Sequence, residues 1–114
     1  MVTIYHNPRC SKSRQTLDLL KSNGIEPQVI LYLEHPPNKS TLIQLLAKLS
    51  IRAQELVRKS EADFKLNFAG QEMTESDYIE AMVRFPKLIE RPIVEVEGRA
   101  VLGRPPENVL EIIS

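Results

Sequence analysis

The feature that most constrains the fold is the alternation of strand and helix patterns at the start of the chain. Residues 2–5 (VTIY) are mostly β-branched or aromatic and precede a loop that contains Pro8, which predicts a short strand followed by a turn. Residues 10–23 carry leucines at helical spacing, and Gly24 then ends the predicted helix. Residues 28–33 (QVILYL) predict a second strand. A strand, a helix and a strand in this order predict a right-handed parallel pair of strands.

The middle of the chain is predicted to be helical. Residues 38–88 show helical periodicity, so we expect a helical insertion between two halves of a sheet. Ser40 is a candidate N-cap, and Thr74 with Asp77 resembles a capping box in which aspartate replaces the usual glutamate. The predicted helical segments and turns are, in order, 40–49, 52–58, 62–66 and 74–85.

The last third returns to strands. Residues 93–96 and 99–102 flank Glu97-Gly98, a two-residue hairpin signal, so these strands should pair antiparallel. Pro105-Pro106 then opens a final helix, because proline is well tolerated in a first turn. The whole pattern predicts an α/β (α+β) fold in a single domain, residues 1–114, with a mixed four-stranded sheet.

Charge and composition narrow the classes of partner. Fifteen basic residues balance fifteen acidic ones, so no net field attracts the protein to nucleic acid or to a membrane surface. The first residues (MVTIYHNPRC) lack the features of a secretory signal, and no apolar run approaches the length of a membrane span. We therefore expect a soluble, cytoplasmic protein, and a monomer because no heptad pattern is present.

Cys10 is the only cysteine, so the chain has no internal disulfide and no thiolate-rich zinc site. Such a cysteine is either a buried structural residue or a reactive thiol. Its place at the predicted start of the first helix, with Arg9, Lys12, Arg14 and His6 nearby, favours the thiolate form. Because helix N-termini also bind phosphate-like oxyanions, a nucleophile and an anion site are predicted together.

Ser13 stands where a redox Cys-x-x-Cys motif would have its second cysteine. Without that thiol the chain cannot complete a two-electron reduction by itself, because thiol chemistry of this kind consumes two thiols. The second thiol must therefore come from glutathione, a glutaredoxin or another donor. Ser13 itself either hydrogen-bonds the Cys10 sulfur or caps the helix.

Residues 6–14 (HNPRCSKSR) resemble the signature of the glutaredoxin-coupled arsenate reductases, a family with a thioredoxin-like fold and a helical insertion. Four further blocks match that family in order and spacing, so the resemblance spans nearly the whole chain. They are Tyr32-Leu33-Glu34 with Pro37, Leu56-Val57-Arg58-Lys59, Glu90-Arg91-Pro92-Ile93-Val94, and Gly103-Arg104-Pro105-Pro106-Glu107.

The resemblance implies that Cys10 attacks arsenate and that Arg58, Arg91 and Arg104 hold the oxyanion, while His6 assists ionisation of the thiol. These roles are physically sensible, since the planar guanidinium group matches tetrahedral oxyanions and offsets their charge beside a thiolate. The alternative is that Arg58 ends a helix, while Arg91 and Arg104 form surface pairs with glutamates.

The resemblance also implies a cis peptide bond before Pro92, facing the cysteine, and supporting places for Ser13 and Arg14. It implies glutathione as co-substrate, a mixed disulfide on Cys10 and a glutaredoxin partner. No bound cofactor or metal is expected, because His6 and His35 lie in no ligand motif.

Two other functions stay open. A thiol-bearing transcriptional regulator that binds RNA polymerase shares the fold and the Arg-Pro-Ile element, although such regulators usually have Cys-x-x-Cys and lack a counterpart of Arg104. The second is a glutathione-dependent reductase of disulfides, which the sequence poorly distinguishes from an arsenate reductase. Ser11-Lys12 and the absence of a charged C-terminal extension depart from the arsenical resistance enzymes, which favours a short housekeeping member of the family.

Overall fold

The computed structural model describes residues 1–113, which form two compact units. The sheet unit comprises Met1–His35 and the chain from Arg91 onward, and the helical unit is Pro36–Glu90. The sheet unit contains β1 (Val2–His6), α1 (Ser11–Ser22), β2 (Gln28–Leu31), β3 (Ile93–Val96), β4 (Arg99–Leu102), a 3-10 turn (Pro106–Val109) and α6 (Leu110–Ile113). The helical unit contains α2 (Lys39–Leu49), α3 (Ala53–Leu56), α4 (Ala62–Asn67), α5 (Glu75–Arg84) and a 3-10 turn (Pro86–Leu88).

Within residues 1–113 the sheet has four strands in the order β2-β1-β3-β4. The β1 and β2 strands run parallel, whereas β3 is antiparallel to both β1 and β4. This mixed sheet with a helical insertion confirms the predicted fold class. The second strand ends earlier than predicted, at Leu31, because the Leu31 carbonyl accepts the N–H groups of Glu34 and His35 in a turn.

The core of the sheet unit lies between the central strands and the helices. Its buried members are Ile4, Leu20, Val94, Val109 and Ile112. The buried face of α1 also includes two hydroxyl residues, Ser13 and Thr16, in its first turns. Both lie on the face that holds Leu20, and their hydroxyl groups contact His6 and Gly103, so the start of α1 packs against the rest of the sheet unit.

Two local predictions for the helical unit are wrong. The N-cap of α2 is Asn38 rather than Ser40, since the Asn38 side chain accepts the Thr41 N–H at 2.8 Å. The predicted helix 52–58 stops at Leu56, because Val57 adopts an extended conformation and forms a β-bridge with Ile89. A pairing with a distant residue thus overrides the local helical pattern.

The predicted capping box of α5 is confirmed. Thr74 accepts the Asp77 N–H at 3.1 Å, and Asp77 accepts the Thr74 N–H at 2.9 Å. The α5 helix buries Ile79 and Met82 within this unit. None of the helices among residues 1–113 is long and apolar enough to cross a bilayer.

Candidate active site

Cys10 is the N-cap residue of α1 and is partly buried. Its backbone N–H donates to the Asn7 carbonyl at 3.0 Å, and its carbonyl accepts the Arg14 N–H at 3.0 Å. The sulfur therefore lies where an N-cap side chain accepts the first N–H groups of a helix. The Cys10 side chain makes no capping hydrogen bond within the hydrogen-bond distance limits, but the backbone N–H groups of Lys12 and Ser13 lower the pKa of its thiol.

The pKa of the Cys10 thiol is lowered from its ordinary value. Partial burial raises the pKa, but this effect is outweighed by the Ser13 N–H, the positive charge of Arg91, the Lys12 N–H and a hydrogen bond from the Arg91 side chain. These groups all stabilise the thiolate, which is the nucleophilic form. These effects favour a reactive Cys10 thiol over a buried structural cysteine.

Arg104 contributes a second guanidinium group beside the sulfur. Its Nη1 lies 3.9 Å from Cys10 Sγ and donates to the Arg91 carbonyl at 3.1 Å. The structure thus brings Arg91 and Arg104 to Cys10, although they are distant in sequence. The expected cis peptide bond at Arg91-Pro92 is present, and a second one at Arg104-Pro105 was not anticipated.

His6 lies at the end of β1 and contacts Ser13. The exposed fraction of His6 is 6%, and its Nδ1 is 2.6 Å from Ser13 Oγ, which also accepts the Asn7 N–H at 3.0 Å. Ser13 therefore does not cap the helix. Its hydroxyl contacts His6, and its N–H is one of the groups that lower the pKa of Cys10.

Burial and the nearby positive charge of Arg14 lower the pKa of His6 below its ordinary value. A neutral imidazole is therefore the dominant form at neutral pH, and it supplies no positive charge to the site. Arg14 also donates to the Pro8 carbonyl at 2.8 Å. Arg14 thus holds the loop that leads from β1 to Cys10.

Arg58 belongs to the helical unit. Its Nη1 lies 2.8 Å from Glu61 Oε2, and its Nε lies 3.6 Å from Glu90 Oε1. Arg58 follows the bridge residue Val57, so it does not end a helix as the alternative interpretation required. Its part in anion binding stays a prediction.

A close approach between α1 and the loop that carries Arg104 was not predicted from the sequence. Gly103 donates its N–H to the Pro92 carbonyl at 2.9 Å, and Thr16 Oγ1 lies 3.3 Å from the Gly103 carbonyl oxygen. A Cβ at Gly103 would come within 2.6 Å of Thr16 Oγ1. A glycine directly before an arginine of the matched block was the available signal. This contact positions the Arg104 backbone against the helix that carries Cys10.

Over residues 1–113, no group of three or more His, Cys, Asp or Glu side chains could hold a metal ion. The chemistry that the described site offers is that of a thiolate surrounded by hydrogen-bond donors and guanidinium groups. Such an arrangement suits a nucleophile whose substrate is an anion.

The sheet combines a strand-helix-strand unit with a β-hairpin, the first helix begins at a thiol, and a cis proline precedes β3. These features together define a thioredoxin-like thiol protein. The sequence model of the ArsC family matches residues 5–112. The chain belongs to the ArsC family.

Several relatives cover almost the whole chain. The chain is 57% identical over 114 residues to the uncharacterized protein YfgD of Escherichia coli K12, which covers 98% of this chain and 96% of that protein. It is 43% identical over 113 residues to an arsenate reductase of Escherichia coli, covering 98% of this chain and 80% of that protein. The solved structure of an arsenate reductase from Vibrio cholerae superposes with a TM-score of 0.93 at 48% identity, covering 98% and 97% of the two chains.

Proposed function

We propose that the protein reduces arsenate to arsenite, with Cys10 as the nucleophile and an external thiol as the reductant. The observation that carries this proposal is the Cys10 thiol of lowered pKa, which lies at the first N–H groups of α1 beside Arg91 and Arg104. The relatives that bear the name arsenate reductase support the choice of oxyanion.

Electrostatics explain why the arginines matter. Arsenate and the thiolate are both anions, so their approach is unfavourable unless positive charge is placed between them. The guanidinium groups of Arg91 and Arg104 supply that charge at the sulfur, and the N–H groups of Lys12 and Ser13 add oriented dipoles.

In the first step the Cys10 thiolate attacks the arsenic atom of dihydrogen arsenate. A bond forms between sulfur and arsenic while one As–OH bond breaks, and the departing hydroxide takes up a proton and leaves as water. The product is a thiol ester of arsenate on Cys10, in which arsenic is still pentavalent.

In the second step glutathione supplies the second thiol. Its thiolate attacks Cys10 Sγ, and the S–As bond breaks with its electron pair remaining on arsenic, which becomes trivalent and leaves as arsenite after protonation. The two sulfur atoms, each oxidised by one electron, form a mixed disulfide. A glutaredoxin thiol then takes over the glutathionyl group and frees the Cys10 thiolate. Because this cycle needs reduced thiols, we place it in the cytoplasm.

His6 acts through Ser13 in this scheme. The hydrogen bond between the imidazole and Ser13 Oγ would hold the first turn of α1 in place, and the Ser13 N–H in that turn lowers the pKa of the thiol. His6 thereby assists ionisation of Cys10 as a positioning residue and not as a cation.

The test is the formation of arsenite in the presence of glutathione, glutaredoxin and a reductase that regenerates glutathione. We expect Cys10→Ser to abolish turnover and Arg104→Ala to lower kcat/KM for arsenate about a hundredfold, a loss typical of removing one donor that stabilises developing anionic charge. Arg99→Ala, at an exposed position on β4, is the matched control and should retain activity.

Two results would contradict the proposal. Reduction of a glutathione mixed disulfide without any arsenite would assign the protein to the disulfide reductases. Turnover of arsenate with a reductant that supplies no thiol would refute the need for a second thiol.

A further inference from the structure

A cavity of about 420 Å³ lies beside the loop that leads to Cys10. Its walls are residues 6–9, at the end of β1 and in the loop after it, together with Leu31, Leu33 and Glu34, at the end of β2 and in the turn after it. The Cys10 N–H donates to the Asn7 carbonyl at 3.0 Å, so the turn that lines the cavity also holds the thiol. The volume lies within the range of about 300–1,000 Å³ that is usual for small-molecule sites.

The charged side chains of this cavity have opposite signs. Arg9 is exposed and stands directly before Cys10, while Glu34 lies on the β2 side of the cavity. In the part of the chain that the structure describes, neither side chain has an ion-pair partner. A ligand with both a carboxylate and an ammonium group would complement the pair.

The rest of the lining is a mixture of polar and apolar groups. His6 uses Nδ1 for Ser13, which leaves Nε2 as the ring nitrogen available to a ligand in the cavity. Asn7 Oδ1 accepts the Arg9 N–H at 3.0 Å, and its amide nitrogen has no partner within residues 1–113. Leu31 and Leu33 offer apolar surface to methylene groups. A short peptide with charged ends presents a matching set of charged, amide and methylene groups.

We infer that this cavity binds the zwitterionic arm of the thiol co-substrate, a small peptide thiol of the glutathione class. Arg9 would bind a carboxylate and Glu34 the ammonium group, while His6 and Asn7 hydrogen-bond the amides. This inference rests on the proposed function, since it identifies where the second thiol is held while its sulfur approaches Cys10.

Binding is tested without turnover by using S-methylglutathione, which has no free thiol. Amide NMR spectra of the native protein should shift at residues 6–9 and 31–34 on titration, while the β3–β4 hairpin stays unperturbed. Glu34→Gln and Arg9→Ala should each raise the Kd about tenfold, equivalent to about 1.4 kcal/mol. The matched controls Glu26→Gln and Arg99→Ala replace exposed residues of the same unit outside the cavity, and their Kd should equal that of the native protein.

A kinetic arm separates this inference from the proposed function. S-methylglutathione should inhibit arsenite formation competitively against glutathione but not against arsenate. Shifts elsewhere in the protein, or an unchanged Kd in both cavity variants, would overturn the assignment of the cavity. If the ligand binds at the cavity but no arsenite forms under any condition, the proposed function fails and the binding site stands.

Discussion

Replacing Gly103 by alanine should displace the loop that carries Arg104. The new Cβ would lie 2.6 Å from Thr16 Oγ1 and 2.8 Å from Pro92 Cγ. Neither neighbour can move aside easily, because Thr16 is fully buried in α1 with its hydroxyl bonded to the Lys12 carbonyl at 2.8 Å, and the Pro92 ring is buried. The Gly103 backbone must therefore move instead.

The size of the effect follows from these distances. Ordinary contact begins at 3.4 Å, so the 2.6 Å approach must lengthen by about 0.8 Å. Overpacking of this kind costs about 2 kcal/mol, and at this chain length the Tm should fall by about 8 °C. Arg104 adjoins Gly103, and its Nη1 is only 3.9 Å from the sulfur. A displacement approaching 1 Å should lower kcat/KM for arsenate at least about tenfold.

The assay combines thermal unfolding, followed by circular dichroism, with arsenite formation well below the Tm. Gly98→Ala is the matched control, because a Cβ at Gly98 meets no atom within 4 Å. Thr16→Ala in the Gly103→Ala background removes the shorter of the two clashes and should restore part of the loss, so the double variant should be less impaired than the sum of the singles. Equal Tm values and equal activities for the two glycine variants would refute the reasoning.

Two further predictions concern Cys10 and α2. Arg91→Met should raise the pKa of the Cys10 thiol, because the charge and the hydrogen bond that favour the thiolate are lost. Alkylation by iodoacetamide at neutral pH should then slow, whereas Arg99→Met should not change the rate, and an unchanged pH profile for Arg91→Met would contradict the assignment. Ser50 ends α2 with a left-handed φ of 57°, so Ser50→Gly should stabilise the protein by about 1 kcal/mol and raise the Tm by about 4 °C. Ser40→Gly, inside α2, should lower the Tm by a similar amount, and a lower Tm for Ser50→Gly would argue against relief of strain.

Local signals in the sequence predicted the elements whose stabilising contacts are also local. The Thr74 and Asp77 capping box joins residues three positions apart, and the β3–β4 hairpin turns at Glu97 and Gly98 as expected. The helix predicted at 52–58 was too long because a non-local contact ends it: the bridge from Val57 to Ile89 joins residues far apart in the chain. Ser40 and Asn38 are both good capping residues, and the structure has Asn38 at the cap with extended backbone while Ser40 lies inside α2.

Two conclusions about Cys10 follow from the sequence alone. It is the single cysteine and stands at the predicted start of a helix, and a reduction that consumes two thiols is therefore predicted to need a second thiol from another molecule. These conclusions follow from a residue count and from contacts within one helical turn. Which groups surround the sulfur depends on the tertiary fold. Arg91 and Arg104 reach it because β3 pairs with β1 and β4 pairs with β3, and Ser13 contacts His6 because the first turn of α1 packs on the end of β1. Such neighbours depend on strand register and helix packing, which no local pattern specifies.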